Sequence, residues 1–159
     1  MNDKDLFIER LAEGHNAEFL IATVFLASNY RVQVVNSGSY RDLLIDDYWV
    51  EIKNEDRYAR VDGNICVELF QGNPSKPSGI SISESHLWIH KLDGMAAIYR
   101  TQKMRCFMKQ NQHEVINFAG ADNGNRGVII PIMDLVENNW FAHCKISELP
   151  VKMDAIYGR

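Results

Sequence analysis

Apolar and polar positions along this chain alternate between helical and strand periods. Residues 4–28 carry helical spacing, read as two helices meeting near Gly14. Leu6, Phe7, Ile8 and Leu11 give the first its apolar side. Ala17, Leu20, Ile21, Val24 and Phe25 form a stripe on the second, with Asn16 as N-cap. Residues 31–36 predict a strand, ended by Asn36-Ser37-Gly38-Ser39. Residues 42–53 then predict a hairpin: Asp42 to Ile45 runs up, Asp46-Asp47 turns, and Tyr48 to Lys53 returns. Further strands are expected at 65–70, 95–99 and 128–132, with Pro131 marking an edge or strand end. Residues 72–79, with two prolines, and 119–127, rich in glycine and asparagine, predict loops. Helices are expected at 83–92, with Ser83 as cap, at 101–110, and as a last helical turn or two at 133–138. The sum is mixed α/β: one layer of mixed central β-sheet with flanking helices.

Composition narrows this picture. A chain of 159 residues with 46% apolar and 24% charged content reads as one globular domain, 1–159. No apolar run approaches the ~20 residues of a membrane helix, and the first residues, Met-Asn-Asp-Lys-Asp, lack a signal-peptide pattern. The three scattered cysteines, Cys66, Cys106 and Cys144, read as reduced thiols. These features predict a cytoplasmic protein without a membrane partner. The formal charge of −4 argues against a general nucleic-acid coat, but leaves room for a local basic groove.

The hairpin concentrates the candidate chemistry. Its register sets Asp42 opposite Glu51, and cross-strand Cβ atoms lie roughly 4.5–5.5 Å apart. Glu51 and Lys53 are two apart and share a face. Two carboxylates and an ammonium converging there call for a cation, a phosphate or water to balance them. Glu18 sits at the edge of the apolar stripe of the preceding helix, where it can reach the sheet; as an isolated residue it also reads as a glutamate reaching solvent.

The order Glu18, Asp42, Glu51-Ile52-Lys53 resembles the PD-(D/E)XK nuclease superfamily. Residues 14–100 carry the likeness: Gly14 and Glu18 on a helix, Asn29-Tyr30 before the first strand, Gly63 to Glu68, and Pro77 to Ile80. The branch it looks most like is the phage-type and Holliday junction resolvase-like nucleases, and Arg41 stands where the motif's proline would be. The resemblance implies a restriction-endonuclease-like core and a metal-dependent endonuclease hydrolysing DNA. It implies Asp42, Glu51 and the Ile52 carbonyl as ligands of Mg2+ or Mn2+, with Glu18 as an outer ligand or holder of a second ion. Lys53 would sit beside the attacking water. Branched DNA as substrate, a role in DNA recombination, a homodimer, and a phage-encoded protein inside a host cell are further implications. A non-catalytic binding module on the same fold and an RNA nuclease stay open beside it.

DNA contacts are expected from Arg57, Arg60 and Lys76 in the loops after the hairpin, and the backbone around Ser78-Gly79 reads equally as a phosphate contact and as a plain turn after Pro77. Arg100, Lys103, Arg105 and Lys109 have helical spacing; they read equally as a phosphate-binding face and as a solvated one. Glu68 is a lone acid in an apolar strand, a secondary candidate. Trp49 alternates onto the Glu51 face and could stack on a base. His86 and His90 are four apart, but no zinc-protease glutamate follows His86, so a surface or packing role is expected.

Overall fold

The computed structural model describes residues 3–35, 41–55, 63–72, 74–118 and 124–159, without the side chains of residues 3–8 and 10. The expected stop at 36–39, the contacts at Arg57 and Arg60, and most of the 119–127 loop lie outside these residues. In chain order the elements are α1 (Asp3–Ala27), β1 (Val32–Val34), β2 (Leu43–Ile45), β3 (Tyr48–Asn54), β4 (Asn64–Gln71) and β5 (Lys76–Pro77). Then come β6 (Leu87–Leu92), β7 (Met95–Arg100), α2 (Thr101–Asn111), β8 (Ile116–Asn117), β9 (Arg126–Pro131), β10 (Phe141–Lys145) and α3 (Leu149–Tyr157). No described helix is long and apolar enough to cross a membrane.

The central sheet has six strands in the order β1-β2-β3-β6-β7-β10. All neighbours are antiparallel except β3 and β6, which run parallel, so the sheet is mixed. One face buries Leu43, Ile45, Val50, Ile52, Leu87 and Ile89 against Ala17, Ile21 and Phe25 of α1 and Met153 and Ile156 of α3. The other face presents Trp88, Leu92, Ala97 and Tyr99 to a second core with Ile65, Val67, Val128 and Met104. The mixed α/β sheet with flanking helices is thus present as expected, and the order helix, strand, hairpin holds.

Four expectations change. Residues 3–27 form one helix, not two. A single interior glycine costs only ~1 kcal/mol against alanine, and buried Ala17, Ile21, Ala22 and Phe25 anchor the helix beyond it. Residues 83–92 are not a helix: 87–92 form strand β6. Leu87, Trp88, Ile89 and His90 are all fully buried, because β6 lies between β3 and β7 with both its faces covered. A short continuous apolar run is the mark of such a strand. Residues 133–138 hold only a short 3-10 turn, Ile132–Asp134; the chain continues into β10 and α3, which periodicity did not show.

The fourth change is a second sheet, β5-β4-β9-β8, where one layer was expected. The strand at 65–70 belongs to it, pairing Ile65 with Ile130 and Val67 with Val128. Two glycines let this sheet close up. Gly79 has φ +51, and a Cβ there would stand 2.4 Å from the Glu68 carbonyl oxygen. A Cβ on Gly127 would stand 2.1 Å from the Val67 carbonyl.

Candidate functional site

The hairpin register pairs Leu43 with Val50, Leu44 with Trp49 and Ile45 with Tyr48. Leu43 and Val50 point into the α1 core, so alternation turns Asp42 and Glu51 to the other face. Glu51 pairs with Trp88 and Lys53 with His90 on neighbouring β6. Lys53 Nζ lies 5.2 Å from the Trp88 ring centroid. Asp42, Glu51 and Lys53 therefore share one side of the sheet, facing the second core. Asp46 is held away at the turn, accepting the Arg31 N–H at 3.0 Å, and Asp47 is exposed beside it.

Asp42 ends its strand by capping its neighbour: Oδ2 accepts the Ile52 N–H at 2.6 Å. In a strand, the N–H and C=O of one residue leave from the same edge. The Ile52 carbonyl thus emerges beside Asp42, beyond Leu43, the last β2 residue in the ladder. Lys53 Nζ donates to Glu51 Oε1 at 2.8 Å. The other Glu51 oxygen, Oε2, is buried without a hydrogen-bond partner, in a side chain only 11% exposed.

Electrostatics bind these groups together. The Asp42 carboxyl is pushed up to about 7 from 3.8, by burial first and then by the Glu51 charge, against the opposing Ile52 hydrogen bond and Lys53. Burial alone would lower the Lys53 ammonium; Glu51 and then Asp42 and Glu68 more than reverse this, so it stays above its ordinary value. Glu18, 19% exposed, lies 3.9 Å from His15. Its carboxyl is raised by burial first, lowered by His15, and then raised by Glu51 and lowered by Lys53. Asn54 Nδ2 donates to the Glu13 carbonyl at 3.3 Å, which lays α1 along the end of β3. Glu18, Asp42, Glu51 and Lys53 thus form one coupled group. Among the described residues, no set of three or more His, Cys, Asp or Glu side chains forms a ready metal cage.

The surrounding contacts differ in what they offer. Lys76 and Lys103 are exposed. Ser78 is turned inward: its N–H donates to the Leu69 carbonyl at 2.8 Å and its Oγ to Glu68 Oε1 at 2.5 Å. Asn125 Nδ2 donates to the other Glu68 oxygen at 3.0 Å. Glu68 is therefore held in place on the second sheet and acts on Lys53 from there. Trp49, half-buried on the Glu51 face, has the Arg41 guanidinium 4.8 Å from its ring centre. His86 Nδ1 accepts the Trp49 N–H at 2.9 Å, so this histidine extends the strand pairing.

Sequence reasoning missed a buried chain next to Lys53. Glu55 Oε1 lies 2.6 Å from His90 Nδ1, and His90 Nε2 lies 2.8 Å from the Tyr99 hydroxyl. Both Glu55 oxygens also accept the Cys66 N–H at 3.3 Å, joining the two sheets. Burial, then the Glu55 and Glu51 charges, hold the Tyr99 hydroxyl well above its ordinary value. The signal was present: Glu51, Lys53 and Glu55 continue a period-two polar series along one face.

No family model matches the chain, and no curated protein matches it. Among solved structures, a bacterial homing endonuclease, I-Ssp6803I, is similar over 58% of this chain and 69% of its own, with a TM-score of 0.47 and 10% identity.

Proposed function

We propose that this protein is a divalent-metal-dependent endonuclease that hydrolyses DNA phosphodiester bonds at the Asp42, Glu51 and Lys53 face. The observation that carries this is the buried, partnerless Oε2 of Glu51 beside a second carboxyl raised to about 7. Crowded acids of this kind fit a hard cation, since an oxygen ligand set of Asp42, Glu51 and the Ile52 carbonyl suits Mg2+ or Mn2+. Glu18 would hold it through water or hold a second ion. When bound, the cation supplies charge neutralisation at the phosphate and a more acidic water.

The chain's own groups do the rest. Asp42 loses its proton to offer a charged oxygen, while its Oδ2 keeps the Ile52 N–H oriented. Lys53 gives up Glu51 Oε1, orients the attacking water and stabilises charge developing on the phosphate. Trp88 under its ammonium restricts where that charge can go. Arg57, Arg60, Lys76 and Lys103 are proposed as phosphate contacts. Ser78 contributes by fixing Glu68. Branched DNA as the preferred substrate and a homodimer that cuts two strands rest on the family resemblance. A cytoplasmic setting, including a phage-encoded protein in its host, accompanies that reading.

The Lys53–Glu51 ion pair favours one other reading, a nucleic-acid-binding module that does not cut, because the pair occupies one of the acid oxygens. Labelled linear duplex, single strand, flap, four-way junction and RNA, each with Mg2+ or with EDTA, separate the two. Cleavage of DNA with Mg2+ and not with EDTA supports the nuclease. Junction binding without cleavage supports the module, and cleavage of RNA alone replaces the substrate.

A further inference from the structure

A cavity of about 380 Å3 lies between the second sheet and α2. Leu69, Ile80, Met108 and Val128 give it an apolar floor, and Arg105, Lys109 and His113 supply its nitrogen-bearing wall. Arg105 and Lys109 are one helical turn apart and share a face. Arg105 is fixed in direction: Nε donates to the Ile80 carbonyl and Nη2 to the Ser83 carbonyl, both at 2.7 Å. Gln112 ends the helix in the left-handed conformation, φ +49, and the chain turns so that His113 reaches the cavity. The His113 ring packs 5.5 Å from that of Phe107. Its Nε2 is buried and has no hydrogen-bond partner.

Four features select a ligand. The volume is that of a small-molecule site and far exceeds what a bare ion needs. Among the described residues no acid lines the cavity, in a chain whose net charge is −4. Two cations side by side, an oriented guanidinium and an exposed ammonium, match the double charge of a phosphate better than the single charge of a carboxylate. The apolar floor, with the adaptable Met108 thioether, suits a flat, weakly polar body.

We propose that this cavity binds a nucleoside monophosphate, either free or as the 5′-phosphorylated end of a strand. The phosphate meets Arg105 and Lys109, and the base rests on Leu69, Ile80, Met108 and Val128 beside the His113 ring. The site stands apart from the acid face and does not depend on the nuclease reading. Lys109 and His113 line it without touching Asp42, Glu51 or Lys53.

Calorimetry and amide NMR on the full chain in EDTA test it, with dAMP, deoxyadenosine, inorganic phosphate, and a trinucleotide with and without a 5′-phosphate as probes. dAMP is expected to bind at least about tenfold more tightly than deoxyadenosine or phosphate alone, a difference of ~1.4 kcal/mol. Lys109→Ala, at an exposed position, and His113→Gln are each expected to weaken dAMP at least about threefold with an unchanged melting temperature. Equal binding of the 5′-phosphorylated trinucleotide identifies a strand end, and exclusion of the trinucleotide identifies free nucleotide; either upholds the site. No saturable binding of any probe by about 10 mM, or binding of dAMP unchanged in both variants, overturns it.

Discussion

Replacing Asp42 by asparagine removes one charge from the hairpin and keeps an oxygen for the Ile52 N–H. In the native fold this carboxyl titrates at about 7 against an ordinary 3.8, with burial the largest cause and Glu51 the next. A folded-state value above the unfolded one means that the native protein holds the extra proton between the two. The stabilisation is complete below about pH 4 and is lost as pH rises through about 7. The slope is ~1.4 kcal/mol per pH unit, which gives ~4 kcal/mol as an upper bound over the window. Coupling to Glu51 and partial solvent access reduce this to ~2 kcal/mol. Urea denaturation of both proteins at about pH 5 and about pH 9 measures it. Asp42→Asn is expected to be more stable than wild type by ~2 kcal/mol at the higher pH, with a smaller gain at the lower. Mg2+ should raise wild-type stability at the higher pH and leave the variant unmoved. A variant less stable than wild type at high pH, or a gain independent of pH, refutes the electrostatic reasoning.

Three other outcomes follow from contacts around the site. Gly79→Ala drives a methyl into the Glu68 carbonyl at a positive φ; it is expected to lower stability by ~3 kcal/mol or prevent folding, and an unchanged thermal midpoint contradicts this. His90→Phe leaves Glu55 buried without its closest partner; a loss of ~3 kcal/mol in denaturant is expected, against ~1 kcal/mol for Tyr99→Phe, which removes only the hydroxyl. Arg105→Lys gives up the fork that meets the Ile80 and Ser83 carbonyls; ~1–2 kcal/mol should be lost, and equal stability by thermal melting would deny that these bonds matter.

What the sequence revealed follows the range of the forces involved. The hairpin was legible because its turn is short and its alternation strict: Leu43, Ile45, Val50 and Ile52 face one core, and Asp42 and Glu51 the other side. α2 was legible from its polar, helix-favouring composition. The strand β6 was not, because Leu87 to His90 are buried on both faces and carry no period to read. The pairing of β4 with β9 joins residues about sixty positions apart, and nothing local in Ile65 or Val67 names Ile130 or Val128 as a partner. Within the site, Asp42, Glu51 and Lys53 came from the period-two register. The Glu68–Asn125 bond could not, because it depends on that distant pairing. Gly14 shows the opposite limit: a local helix-breaking signal is overridden by the packing of Ala17, Ile21 and Phe25.

The central claim is that the Asp42, Glu51 and Lys53 face cuts DNA. Single-turnover cleavage of a labelled four-way junction and a matched duplex in Mg2+ tests it most directly, with wild type and Lys53→Met side by side and binding measured in parallel. Wild type is expected to cut at least one substrate. Lys53→Met should bind DNA within about threefold of wild type yet cleave at least about 100-fold more slowly, ~2.7 kcal/mol of lost transition-state stabilisation. A wild type that cuts no DNA, or a Lys53→Met that cuts at the wild-type rate, would contradict the claim.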